Sequence, residues 1–222
     1  SSTSQLPSSL CILPVRTLPS AWLLSPACTG DEFELIRAVG SSVTFTLPST
    51  KEEVAAWSFH NELILVLKFG DPPEVSYFDH NYKTRLSFPN NGRALTISQL
   101  RINDTGTYTV KLAGQKTTFT LHVYRELTVP TVTCVEQNCS ADGCRYTLHC
   151  TASGPGSGNV SYSWSMGGLT RSREPTVLVE ETPPDELLPP LTCTAQNPVS
   201  SSNATVTSPA ALCAGNGHGK MR

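Results

Sequence analysis

The side chains able to do chemistry in this 222-residue chain are eight cysteines, five histidines and eighteen carboxylates, and their spacing decides between very different uses. His60, His80, His122, His149 and His218 are scattered, with no paired carboxylates or nucleophile motif at a meaningful interval, which argues against an enzyme. No cofactor is implied. Cys11 and Cys28 lie near the start, none falls between Cys28 and Cys134, and six crowd into 134–213. An even set in a compact segment reads as a disulfide framework formed in an oxidising compartment. Zinc ligation through Cys134, Cys139 and Cys144 is the alternative, but those gaps sit at the edge of zinc-ligand spacing and no histidine pair completes a site. Four Asn-x-Ser/Thr sequons, at Asn103, Asn138, Asn159 and Asn203, are candidate glycan acceptors and agree with secretion.

Charged residues make up 15% of the chain against a typical ~25%, and the net charge is −2. That balance gives no long-range pull toward nucleic acid or acidic membranes. Residues 1–30 are apolar but broken by prolines, and read as a signal-peptide remnant or a disordered leader. No run of ~18 apolar residues that would span a membrane occurs.

The elements that must position these residues are short and β-like. "SSVTFTLP" alternates Val43, Phe45 and Leu47 against Ser42, Thr44 and Thr46, a half-buried strand. "EVAAWSFHNELILVLKFGDPP" reads as two strands about a turn at His60-Asn61-Glu62. "YKTRLSF" and "NNGRALTISQL" give two more, and "TGTYTVKL" with "KTTFTLHVY" a closing hairpin around Ala113-Gly114-Gln115. After the connector "RELTVP", the candidate strands are "CRYTLHC", "NVSYSWSM", "TVLVEE", "LTCTAQN" and "NATVTSP". "SGPGSG" and "TPPDELLPP" are loops. The expected division is a module over 31–125, a second over 126–214 and a disordered tail over 215–222.

Cys150, Trp164 and Cys193 give the Cys…Trp…Cys order of an immunoglobulin sandwich, in which the tryptophan packs on the inter-sheet bond. The first half has the same skeleton without the sulfurs. Leu47 stands at the first cysteine position, Trp57 follows, and Val110 stands two residues after Tyr108 of the Asp104-x-Gly106-x-Tyr108 stretch. Burying Leu47 and Val110 returns roughly 1.5–3 kcal/mol each, close to offsetting the ~4 kcal/mol a bond there would contribute. Arg85 and Asp104 fit a partly buried ion pair. The fold class is therefore all-β: two tandem immunoglobulin-like β-sandwiches, variable-type without the inter-sheet disulfide, then constant-like with extra disulfides.

The stretches "GSSVTFTLP", "VAAWSF", "LTISQLRINDTGTY", "LHVYRELTVPTVT", "CRYTLHC", "VSYSWS" and above all "LTCTAQNPVSSSNATVTSPAALC" resemble the ectodomain of the SLAM (signalling lymphocytic activation molecule) family of leukocyte receptors. The resemblance implies Cys150–Cys193 and Cys144–Cys213 bonds. Cys134 and Cys139 are extra, and their separation suits a local loop closed between them. Leu191 departs from the family in standing where a tyrosine usually precedes the cysteine. The implied protein sits on the extracellular side of a cell surface, or is secreted. Its implied partner is itself or another ectodomain of the family, with cytoplasmic adaptors only if a tail follows Arg222. A heterophilic ligand, lipid-anchored or a soluble decoy (a viral copy included), is the alternative.

The recognition surface is expected on one sheet face. If Trp57, Tyr108 and Val110 point inward, alternation sends Ala56, Ser58, Thr109, Lys111, Thr118, Thr120 and His122 outward, with His60 at the turn. The run Leu63 to Leu67 is apolar throughout, so one parity must face solvent; Leu63, Leu65 and Leu67 are the expected contact residues.

Overall fold

The structure, a computed structural model, describes residues 32–47, 51–182 and 188–215. They form two β-sandwiches in tandem. In the first, a front sheet has the order β1-β9-β8-β3-β4-β5, built from Glu32–Ala38 (β1), Val54–Phe59 (β3), Glu62–Lys68 (β4), Glu74–Tyr77 (β5), Gly106–Leu112 (β8) and Gln115–Tyr124 (β9). The back sheet, β2-β7-β6, comprises Val43–Thr46 (β2), Leu86–Ser87 (β6) and Ala94–Ile97 (β7). Two tight turns join the front strands: His60-Asn61 and Ala113-Gly114 both hold positive φ at both positions (48° and 69°, 43° and 89°), the mirror-image turn whose twist matches a hairpin.

Between the sheets, aromatic rings occupy the centre. Phe45 lies 5.8 Å from Trp57, 5.1 Å from Tyr108 and 4.8 Å from Phe119, centroid to centroid. Leu47 and Val110 are buried in the same cluster. Closely packed rings and aliphatic groups thus join the sheets where a disulfide would otherwise cross. At the lower end, Arg85 donates from both terminal nitrogens to the two Asp104 oxygens at 2.7 and 2.8 Å, and both side chains are under 8% exposed. Asp104 also accepts from the Arg101 backbone at 2.7 Å, and its own carbonyl accepts from the Tyr108 hydroxyl at 2.9 Å.

Two local readings change. The strand expected at "YKTRLSF" shrinks to β6, because Asp79 accepts from the Asn81 backbone and nucleates a 3-10 turn over His80–Tyr82 that buries Tyr82. β4 carries a bulge: Trp57 faces Leu65 but Ser58 faces Leu63, leaving Ile64 as the extra residue. Ile64, Leu65 and Leu67 are therefore all in the core, while Leu63 and Val66 take the outward side.

The second sandwich packs a sheet of Thr131–Ser140 (β10), Gly143–Thr151 (β11) and Thr176–Glu181 (β14), in the order β10-β11-β14, on one of Ser161–Met166 (β12), Leu169–Ser172 (β13), Leu191–Gln196 (β15) and Ser201–Val206 (β16), in the order β13-β12-β15-β16. Trp164 is fully buried against Cys150 and Cys193, which are bonded. Leu191, 1% exposed, fills the site of the absent tyrosine with hydrocarbon.

The other two bonds are not the expected ones. Cys139 is joined to Cys144, and Cys134 to Cys213, in place of Cys134–Cys139 and Cys144–Cys213. The cause is β10, over a stretch where the sequence reading names no strand. On an extended strand Cys134 and Cys139 lie roughly 17 Å apart, beyond any disulfide's reach. Cys139 sits instead directly opposite Cys144, Cα to Cα 4.1 Å. A short helix, α1 (Pro209–Gly215), started by proline and capped by Ser208, then carries Cys213 back to Cys134.

The stretch "CTAQNPVS" lies where the modules join, and its polar groups hold the joint. Asn197, 6% exposed, donates to the carbonyls of Arg125 (2.7 Å) and Ser157 (2.9 Å) while accepting from the Ser200 backbone and hydroxyl, both at 2.8 Å. The Ser200 hydroxyl accepts from the Leu127 backbone at 2.8 Å, and the Arg125 backbone donates to the Gly156 carbonyl at 2.8 Å. Linker 125–127 is thereby bonded on both sides to the second module.

Candidate recognition face

Register places the outward residues of the front sheet in rows. One runs Glu32, Thr118, Thr109, Ser58, Leu63; the row toward the hairpin tip runs Lys116, Lys111, Ala56, Val66, Ser76; the row on the other side holds Glu34, Thr120 and Thr107. Ile36 and His122 follow beyond it. The centre is threonine and serine. Three apolar side chains gather at the β4–β5 side: Leu63 (40% exposed), half-buried Val66, and Phe78, which is 60% exposed and donates its backbone N–H to the Ile64 carbonyl beside Leu63.

This differs from the expected contact set in named places. Leu65 and Leu67 are fully buried and leave the surface, because they pair with inward Trp57 and Ala55, while the bulge turns Leu63 out beside Ser58. His60 is exposed but sits in the turn, its ring edge-on to Phe59. Thr109 faces outward yet is only 5% exposed, hemmed in by Ser58 and Thr118 on its row. Ala56, Ser58, Leu63, Lys111, Thr118, Thr120 and His122 all line the outward side with measurable exposure.

Sequence reasoning misses β1, and with it Glu32, Glu34 and Ile36. β1 runs parallel to β9 and extends the face by one strand. Its inward partner Phe33 stacks on Phe119 at 5.3 Å. Glu34 reaches the His122 ring nitrogen at 3.0 Å, and His122 stacks on Tyr124 at 6.3 Å. Phe78 is missed too, since β5 itself has no clear pattern.

All four sequon asparagines are exposed, and none lies on this face: Asn103 is in the 3-10 turn before β8, Asn138 on β10, Asn159 before β12 and Asn203 on β16. Burial pushes the Tyr108 phenol far above its ordinary value, and to a lesser degree those of Tyr82, Tyr77 and Tyr146. These phenols are structural. Among the described residues no cluster of three or more metal-ligating side chains occurs, and no helix is long and apolar enough to cross a membrane. Cys11 and Cys28 lie outside the described residues.

The fold class is thus two tandem immunoglobulin-like sandwiches, the first with an open front sheet that carries no sequon. No family model matches the chain. Among curated proteins it is 30% identical to mouse SLAM family member 5 over 84% of its length, 29% identical to human SLAM family member 7 over 87%, and 35% identical to the human T-lymphocyte surface antigen Ly-9 over 73%. By sequence the chain is a member of the SLAM family. It spans 57% and 60% of the first two relatives and 26% of the third. Among solved structures, the CD2-binding domain of CD58 superposes with a TM-score of 0.59 at 20% identity, covering 80% of this chain and 97% of that one. Murine CEACAM1b gives 0.58 at 17% identity, with the same coverages. They share the fold.

Proposed function

We propose that the chain is the recognition end of a leukocyte surface receptor, binding a second copy of itself on an opposed cell through the front sheet of its first module. One observation carries this reading: a six-stranded sheet leaves its outward face open, small and uncharged at the centre, with Leu63 and Phe78 exposed beside it and no sequon to cover it. Exposed apolar groups on an otherwise polar face mark contact surfaces. Glycans on Asn103, Asn138, Asn159 and Asn203 would coat the remaining surfaces, and the disulfide-bonded second module serves as a spacer.

A second reading, a heterophilic ligand, draws on the CD58 likeness, since that domain binds a different protein, CD2. Beads coated with the chain through its C-terminus separate the two. Self-recognition clusters beads of one kind, and added free chain disperses them. Beads that stay apart yet bind beads carrying another SLAM-family ectodomain would replace it with the heterophilic reading.

A further inference from the structure

One sequon is built into a disulfide ring. In Asn138-Cys139-Ser140 the middle residue is bonded to Cys144, directly opposite it on the β10–β11 hairpin, with only the turn 140–143 between them. The hydroxyl that the sequon must offer is tied into that turn: Ser140 Oγ donates to the Gly143 carbonyl at 3.4 Å and accepts from the Asp142 backbone at 3.3 Å. Backbone 138–140 is paired in register with 143–145, and the Asn138 amide donates to Glu136 Oε1 at 2.9 Å. Glycan transfer needs the acceptor amide and the hydroxyl two residues on to adapt together to an enzyme's site, and a ring-closed strand holds both in place. The other three sequons contain no cysteine.

We infer that Asn138 is a conditional modification site gated by the Cys139–Cys144 bond. Chains glycosylated before the ring closes carry a glycan there, and chains that close first do not. In the first reaction the Asn138 amide nitrogen bonds to C1 of the first sugar of a lipid-linked oligosaccharide. The C1–O bond to the lipid pyrophosphate breaks, and the amide loses a proton. In the second, the Cys139 and Cys144 thiols pass two electrons and two protons to the disulfide of an oxidoreductase, which leaves as a dithiol while the S–S bond forms. The order is one-way. Alternation puts Asn138 outward with Arg145 and Cys139 inward with Cys144, so a glycan on the one does not obstruct the bond on the other. The windows overlap: at ~5–20 residues per second Cys144 follows Asn138 off the ribosome within about a second, and disulfides form over seconds and longer. The result is two surfaces. Asn138 shares a row with Arg145 and Glu180, which are paired at 2.7 Å, and Leu178, 56% exposed, projects from the next row of the same face. A glycan covers this part of the β10-β11-β14 sheet, and its absence leaves it open.

Site occupancy in the whole chain, expressed through a mammalian secretory pathway, tests this. Enzymatic deglycosylation in heavy-oxygen water turns each glycosylated asparagine into labelled aspartate, and peptide mass spectrometry reads the fraction at each sequon. Cys144→Ser is the central variant, since it abolishes the ring and leaves Asn138-Cys139-Ser140 unaltered. Comparable rates of the two steps put wild-type occupancy at about half, so Cys144→Ser should raise it about twofold, with Asn159 and Asn203 unchanged. Cys134→Ser with Cys213→Ser removes the long bond alone and should leave Asn138 at the wild-type level. The sugar is added during synthesis, so occupancy is read on the intracellular chain and a variant that folds poorly still answers. Full occupancy in wild type, or no rise with Cys144→Ser, would overturn the gate. An equal rise with Cys134→Ser and Cys213→Ser would overturn it as well, since slowed folding rather than the ring would then control the site.

Discussion

Asp104 anchors the lower end of the first module by holding Arg85, the Arg101 backbone and, through its carbonyl, Tyr108. Removing one charge of a buried pair strands the other, so Asp104→Asn should cost roughly 3–5 kcal/mol. Replacing both members with hydrocarbon, as in Arg85→Met with Asp104→Leu, should cost less than the single change; calorimetry of the first module's transition checks the order. The buried phenols set a pH limit. Tyr108 and Tyr82 are raised in the folded chain, so stability is fully present below the ordinary phenol value near 10 and is lost above it, as the unfolded chain ionises first. Denaturant midpoints should be flat from about pH 8 to 9 and fall from about pH 10 upward, and Tyr108→Phe should lessen that fall. The Arg85–Asp104 ion pair was legible in the sequence from the likeness to a variable-type sandwich, although 19 residues separate the two. Thr109's burial was not, since it depends on which strands flank β8.

At the scale of the element, pairing partners decide what alternation alone cannot. The apolar run of β4 has one outward parity in any regular strand, but the bulge opposite Trp57 and Ser58 breaks that parity and buries Ile64, Leu65 and Leu67 together. β1 was unreadable because its two sides are mixed: Phe33, Leu35 and Arg37 inward, Glu32, Glu34 and Ile36 outward. Missing β10 misassigned two disulfides. In the chain-entropy model the bond spanning 79 residues contributes about 4.5 kcal/mol and the one spanning 5 about 2. Replacing Cys134 and Cys213 by alanine should therefore lower the melting temperature more than replacing Cys139 and Cys144. Non-reducing peptide maps should show Cys134–Cys213 and Cys139–Cys144; a Cys144–Cys213 peptide would overturn that pairing. Asn197 is a case where the motif was legible and its use was not. Asn197→Ala removes two bonds to carbonyls on either side of the joint, and small-angle scattering should then report a broader range of inter-module angles with both modules still folded.

Across the whole molecule, chemistry already separates the parts in the sequence: sulfur and three sequons in the second module, a neutral sheet face in the first. Two tandem sandwiches followed from periodicity and the Cys150–Trp164–Cys193 order. The extent of the face did not, because its outer strands, β1 and β5, carry no sequence signal as clean as the hairpins between them. The face lies on one side of the first module only, so a charge at its centre and a charge on the back sheet should behave differently. Ser58 is the better central position than Thr109, whose burial would make a glutamate unfold the strand rather than test the contact. Thr44, exposed on the back sheet and sharing a hydrogen bond with Thr96 at 2.8 Å, is the control. Sedimentation equilibrium of wild type, Ser58→Glu and Thr44→Glu at high micromolar concentration is the most direct measurement. Wild type and Thr44→Glu should self-associate with micromolar affinity, about −8 kcal/mol, while Ser58→Glu stays monomeric. Equal association of all three, or loss with Thr44→Glu alone, would contradict the front sheet as the recognition face.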